Sequence, residues 1–215
     1  GLMMGKTLAE APKKLQELEL SAIMEAMNQM VGSSATAMSD FFDRQIDISP
    51  PEVKSVDLKE EEISISFIDR NEPLVQIAFD LEIGDFLKSK AIQLIPLAFA
   101  REMSRGILKK MGLEVEEISS PEKPAEEGRD KEVFLSEMEK DTLAEIGNIS
   151  LGSAATALSN LLNRRVQITT PKVTITSMAE IKAKFPIPCI VVMIHFTKGL
   201  KGDNILIIKN EDALL

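Results

Sequence analysis

Residues 21–53 return at 141–173, an offset of 120 with no gap, and this internal repeat limits the fold more than any other feature of the 215-residue chain. Twelve of the 33 aligned positions are identical, among them Glu25/Glu145, Asn28/Asn148, Gly32/Gly152, Ser33/Ser153, Thr36/Thr156 and Pro51/Pro171. Unrelated amphipathic helices would agree on an apolar face. They would not agree on Asn, Gly and Pro in step. The chain is a duplication, and its fold must seat the same unit twice.

Each copy opens on a long helix. In the second, Ser136 followed three residues later by Glu139 reads as a capping box. Leu143, Ile146, Ile149, Ala154, Leu158, Leu161 and Leu162 then give a helical apolar stripe that runs to about Asn163. The first copy repeats it with Ile23, Met27, Met30, Ala35, Met38, Phe41 and Phe42. Strand-like stretches follow the helices: Val75–Ile83 alternates, and Cys189–Phe196 and Asn204–Ile208 are β-rich. Another helix is expected from Pro96 to about Met111, stopped by Gly112. The class is α+β. Gly32 and Gly152 each cost roughly 1 kcal/mol inside a helix. The Gly-Ser-x-Ala-x-Ala run around each offers a small-residue face, and the preferred reading of these glycines is close packing of the two equivalent helices.

Composition removes several function classes. A net charge of −9, with no Trp or Tyr, argues against a nucleic-acid surface. The charge is uneven, since residues 114–132 hold eight acidic and three basic side chains. The longest apolar run, Ala91–Ala100, is broken by Gln93 and Pro96 and falls short of the roughly 18 residues of a membrane span. No secretory signal is read at the amino end, and the lone Cys189 excludes an internal disulfide framework, so a cytoplasmic location is expected.

The organisation expected is a first half over residues 1–112, an acidic Pro/Glu linker over 113–132 and a second half over 133–215, the two halves forming one domain. The helix after the first copy's strands has an equivalent that begins at Asp212-Ala-Leu-Leu215 and stops early. Gly1-Leu-Met-Met4 resembles its missing end, so a permuted order is expected, with the termini along one helix and residue 1 beside residue 215, within one protomer or across a swapped dimer. The Leu113–Lys131 segment is expected to be a flexible linker.

Familiar catalytic constellations are missing. His195 is the single histidine and sits on a strand pattern; zinc-type clusters, a Walker loop and a Gly-x-Ser-x-Gly elbow are not found. An enzyme built on this sequence must use carboxylates, amides and hydroxyls, and no metal site is expected on this chain. Glu25 and Asn28 lie three apart on one helix, as do Glu145 and Asn148, so each pair shares a face. Ser21 and Asp141 lie one turn earlier on the same side. A Glu alone would be an ordinary solvated side chain. Asn is a poor mid-helix residue because its amide competes with the backbone. Its recurrence beside a repeated Glu points to function, the other reading being that Asn pins the helix to a neighbouring loop.

Glu-x-x-Asn, preceded four residues upstream by Ser or Asp and followed about 22 residues later by Pro, resembles the signature of the CheC, CheX and FliY phosphatase family. Ser21, Glu25, Asn28 and Pro50 or Pro51 match it in the first copy; Asp141, Glu145, Asn148 and Pro171 match it in the second. The words Glu25-Ala-Met-Asn28 and Glu145-Ile-Gly-Asn148, with their flanks, are most similar to the FliY branch. The resemblance implies pseudo-two-fold symmetry, with the two motif helices side by side and antiparallel strands behind. It also implies hydrolysis of the aspartyl phosphate of the response regulator CheY at the flagellar motor switch, with FliM, FliN and FliG as neighbours. In that reading Asn positions water, Glu engages a lysine of the partner, and Mg²⁺ comes from the partner rather than from this chain. Ser21 and Asp141 support, and Gly32, Gly152, Pro51 and Pro171 belong to the structural motif. The alternatives are a non-catalytic adaptor that binds phosphorylated CheY, or a free-standing CheC-type phosphatase. An amino-terminal docking peptide and a FliN-like domain are not read in this sequence.

Overall fold

The two long helices predicted by the repeat occupy equivalent residues in the two copies, α1 over Glu17–Phe42 and α3 over Glu137–Leu162, in a computed structural model of the chain. The structure describes residues 17–57, 72–85, 87–113, 135–185 and 188–209. The expected linker from 114 onward and both chain ends, on which the permuted helix depends, lie outside these residues.

Between and after the helices run β1 (Asp47–Ile48), β2 (Glu52–Val56), β3 (Leu74–Ile83), β4 (Leu87–Pro96) and α2 (Leu97–Lys110). The second copy continues with β5 (Val166–Ile168), β6 (Lys172–Thr176), α4 (Met178–Lys184), β7 (Cys189–Lys198) and β8 (Gly202–Lys209). The α+β class expected from the sequence is the one adopted. Among the described residues no helix is long and apolar enough to cross a membrane.

All eight strands among the described residues join one antiparallel sheet in the order β1-β7-β8-β4-β3-β5, with β2 also on β7 and β6 also on β3. The register makes the pseudo-two-fold visible. Adding 115 to the numbers of β3 gives β7, and adding 120 to those of β2 gives β6. With those offsets the pair Ile77↔Val173 becomes Val192↔Val53, and Leu81↔Ile168 becomes Phe196↔Ile48. The axis passes between β4 and β8 at Ile92↔Ile207. The copies are therefore interleaved: strands β1 and β2 of the first copy pair with the second copy's hairpin, and β5 and β6 pair with the first copy's hairpin.

Alternation decides what each sheet face meets. Val75, Ile77, Phe79, Leu81 and Ile83 of β3, with Ile190, Val192, Ile194 and Phe196 of β7, face α1, α2 and α3 in the main core. The opposite parity, Leu74, Leu94, Val191 and Ile205 among others, meets Met178 and Ile181 of α4 in a second core. His195 and Asp203 bond across β7 and β8. Cys189 is buried at the start of β7, and desolvation pushes its thiol up to about 11.

Two serines set the helix crossing. Ser33 Oγ and Ser153 Oγ stand 2.7 Å apart, and each also lies within hydrogen-bond reach of the other's carbonyl, at 3.2 and 3.1 Å, so the two hydroxyl protons fill two of these three contacts at a time. Ser34 Oγ donates to Ser150 O at 2.8 Å. Advancing along α1 thus means retreating along α3, and the helices run antiparallel. Both helices end on a left-handed residue, Asp43 (φ 53) and Asn163 (φ 49). In both, a serine one turn back receives the next strand, Ile46 N donating to Ser39 Oγ (3.0 Å) and Val166 N to Ser159 Oγ (2.9 Å).

The close-packing reading of Gly32 and Gly152 is overturned. A Cβ built on either meets nothing within 4 Å. The backbones approach at the adjacent serines, and the glycines turn a different way. Gly147 is the glycine that packs: its Cβ would stand 3.3 Å from Ile77 Cγ2 and 3.5 Å from Pro171 Cγ.

Candidate functional site

Position on the helix decides which motif side chains face solvent. In α1, Ile23, Ala26, Met27 and Met30 enter the core, which leaves Ser21, Glu25 and Asn28 on the exposed side. In α3, Leu143, Ile146 and Gly147 are buried, which leaves Asp141, Glu145 and Asn148 exposed. The structure therefore brings together the residues singled out in each copy, as one stripe per helix. Two stripes result, not one composite cluster. Asn28 and Asn148 each precede the serine crossing by five residues on antiparallel helices. At 1.5 Å per residue they stand about 15 Å apart along the helix axes.

Neither asparagine amide has a hydrogen-bond partner among the described residues, so the reading in which Asn pins the helix to a loop does not hold. A solvated amide with both its carbonyl and its NH₂ free can orient a water and a phosphoryl oxygen together. The glutamates differ between copies. Gln29 Nε2 donates to Glu25 Oε1 at 2.9 Å, whereas Ile149 occupies the equivalent position beside Glu145.

The prolines act from behind. Pro171 is buried against Gly147, one of the two residues between Glu145 and Asn148, with Ile77 of β3 on the same spot. In the first copy it is Pro51, not Pro50, that is buried, and Met27 stands where Gly147 stands in the second. The proline thus supports the motif helix and has no chemistry of its own.

The amino end of α3 is held by a residue the sequence marked only as a cap. Glu139 is 1% exposed and accepts from Ser136 N (2.9 Å), Ser136 Oγ (3.1 Å) and Arg105 Nε of α2 (3.0 Å), while its own N–H donates to Ser136 Oγ (3.1 Å). Burial pushes its carboxyl upward, but the Ser136 and Arg105 hydrogen bonds and the Arg105 charge outweigh it and hold the group below its ordinary value of 4.5. Nothing in the sequence pattern singled out Arg105. Among the described residues no group of three or more His, Cys, Asp or Glu side chains is arranged to hold a metal ion.

Residues 18–55 and 138–175 both match the CheC-like family, one match in each copy and each covering a complete stripe and its proline. Both stripes therefore fall within segments similar to the CheC-like family. Over 121 residues the chain is 42% identical to the flagellar motor switch phosphatase FliY of Bacillus subtilis (strain 168), a match to 56% of this chain and 32% of the relative. The chain thus spans about a third of that relative's length. The crystal structure of Thermotoga maritima FliY aligns with a TM-score of 0.68 at 24% identity over 93% of each chain. A chain of the FliG–FliM complex from H. pylori aligns with a TM-score of 0.63 at 14% identity, over 93% of this chain and 99% of that one. Both structures share the fold described above.

Proposed function

We propose that this module hydrolyses the aspartyl phosphate of a CheY-type response regulator, working at the cytoplasmic side of the flagellar motor switch. The observation that carries the proposal is the recurrence, across a pseudo-two-fold axis, of an exposed Glu and an unpartnered Asn three residues apart. The likeness to a motor switch phosphatase supports the same reading.

An acyl phosphate is already reactive, so the catalyst mainly has to place water in line. Water oxygen attacks phosphorus, the bond from phosphorus to the aspartyl oxygen breaks, and the carboxylate leaves with its electron pair. The water's protons go to the departing phosphate and to solvent. Neutral Asn28 or Asn148 suits the positioning role because it adds no charge beside the phosphoryl oxygens. A carboxylate there would be repelled, so Glu25 and Glu145 engage a lysine of the partner's site. Mg²⁺ is supplied by the partner, and Ser21 and Asp141 support the stripe at its upstream end.

The test is phosphate loss from phosphorylated CheY with this chain at catalytic amounts. Asn28→Ala and Asn148→Ala are each expected to lower the rate in part, and the double variant to fall to the spontaneous rate. A double variant that keeps the wild-type rate overturns the proposal, and one single variant that abolishes all activity overturns the two-site form of it. A second reading, an adaptor that binds without turnover, is favoured by the fold shared with a chain of the FliG–FliM complex. Stoichiometric protection of the phosphate would establish it.

A further inference from the structure

We infer that Gly32 and Gly152 are clearance residues, kept without a side chain so that the phosphorylated partner can reach Asn28 and Asn148. The inference rests on the proposed phosphatase site and adds to it a pair of specificity-determining positions that touch the partner's approach rather than the reacting atoms.

The case starts from what the glycines do not do. Each lies well inside a 26-residue helix, where glycine is among the worst helix formers. Close packing would explain that, but a Cβ at either position meets nothing within 4 Å. Neither has a positive φ that would demand glycine. By contrast, Gly147 in the same helix is pressed against Ile77 and Pro171, so a packing glycine is recognisable when present.

Direction supplies the reason. Cα–Cβ bonds in a helix tilt toward its amino end, so a side chain covers the turn before its own Cα. A side chain at 32 would lie over Asn28, and one at 152 over Asn148, each four residues upstream on the same stripe. Glycine leaves both amides uncovered. The next stripe residue is fastened back in both copies: Thr36 Oγ1 donates to Gly32 O (3.1 Å) and Thr156 Oγ1 to Gly152 O (3.0 Å). That bond turns the threonine hydroxyl toward the backbone. Glycine and threonine are identical in the two copies, so the whole device is repeated.

Two effects then move in opposite directions, which a merely structural glycine would not produce. Replacing both by Ala is expected to raise Tm by about 2–4 °C per site, from better helix propensity. Replacing both by Leu keeps good propensity and drapes a long side chain over each Asn. The rate constant kcat/KM for phosphate loss from phosphorylated CheY should then fall by about tenfold or more, with the Ala pair between Leu and wild type. Gly106→Leu on α2, at another exposed helical glycine whose Cβ meets nothing, is the control and should leave the rate unchanged. Affinity for CheY loaded with beryllium fluoride is measured in parallel. If the wild type binds without turnover, the tenfold loss is read in Kd instead. A Leu pair that folds with wild-type rate and affinity overturns the clearance role and leaves the phosphatase reading standing. A wild-type protein that neither binds nor accelerates removes both.

Discussion

Replacing Ser33 and Ser153 by Ala, singly and together, tests whether hydroxyl hydrogen bonds hold the two motif helices in register. Ser153→Ala removes the 2.7 Å contact between the hydroxyls and the 3.1 Å contact with Ser33 O, and leaves Ser33 Oγ to donate to Ser153 O at 3.2 Å. Two hydroxyl protons make two bonds, of which each single variant keeps one, so at about 0.5–1.5 kcal/mol net per bond each single should lose about that much. The double variant keeps neither and should lose about the sum of the two singles. For a chain of this size that is a fall of about 2–4 °C in Tm per kcal/mol. A Ser33→Val, Ser153→Val pair sharpens the test. Methyl carbons need about 3.5–4.0 Å where the oxygens sit at 2.7 Å, so the helices must part and overpacking should cost about 1–3 kcal/mol more. Urea denaturation of the variants is the assay, and phosphate loss from CheY should be unchanged in the alanine series because no motif side chain is touched. Alanine variants as stable as wild type, or a valine pair as stable as wild type, would refute a crossing fixed by those two hydroxyls.

The carboxyl of Glu139 is held below 4.5 in the folded protein, so the stability it contributes is complete above 4.5 and disappears as pH falls through the lowered folded value. Comparing urea stability of wild type and Glu139→Gln should show a gap of about 1.5–3 kcal/mol near neutrality that closes in acid; a gap independent of pH would count against an ionised, hydrogen-bonded Glu139. Gly147→Val should push its extra methyls into Ile77 and Pro171, cost about 1–3 kcal/mol, and abolish the share of activity that depends on Asn148 while sparing the share due to Asn28. Equal loss at both sites would show that the two stripes are not independently seated.

Much of this arrangement was legible in the residues because it is local. Helix length, the capping box at Ser136 and the apolar stripes depend on spacings of three and four residues, and the repeat doubled the stripe signal. Strand pairing was not legible. Strand β2 has five residues and β5 three, too short to carry an alternation, and their partners lie more than 80 residues away. Helix α4 has seven residues and escaped notice for the same reason. The glycines failed differently. A small residue suits both a tight crossing and an open face, and only the direction of its absent Cβ distinguishes the two. Ser33 and Ser153 stand next to those glycines in the same words, yet one residue is a 100° step around the helix. That step separates the crossing from the exposed stripe.

The interleaving of the copies explains why duplication does not give two separable folding units. The segment that supports the second stripe is Pro171, between β5 and β6, yet those strands pair with β3 of the first copy. Ile77, which presses on Gly147 beside Pro171, also belongs to β3. By the pseudo-two-fold register, Val192 of β7 takes the place of Ile77 for the first copy, across from Val53 in β2. Each motif helix thus rests in part on a floor supplied by the other copy, while the two helices brace each other at Ser33 and Ser153. The apolar side of such a helix has no complete seat within its own half. Stability lives in the joint sheet, and the helix faces turned away from it are free to vary with little effect on the core. That division lets one stripe keep Gln29 on its glutamate and the other keep Ile149 beside it, so that two sites on one rigid floor can differ in strength.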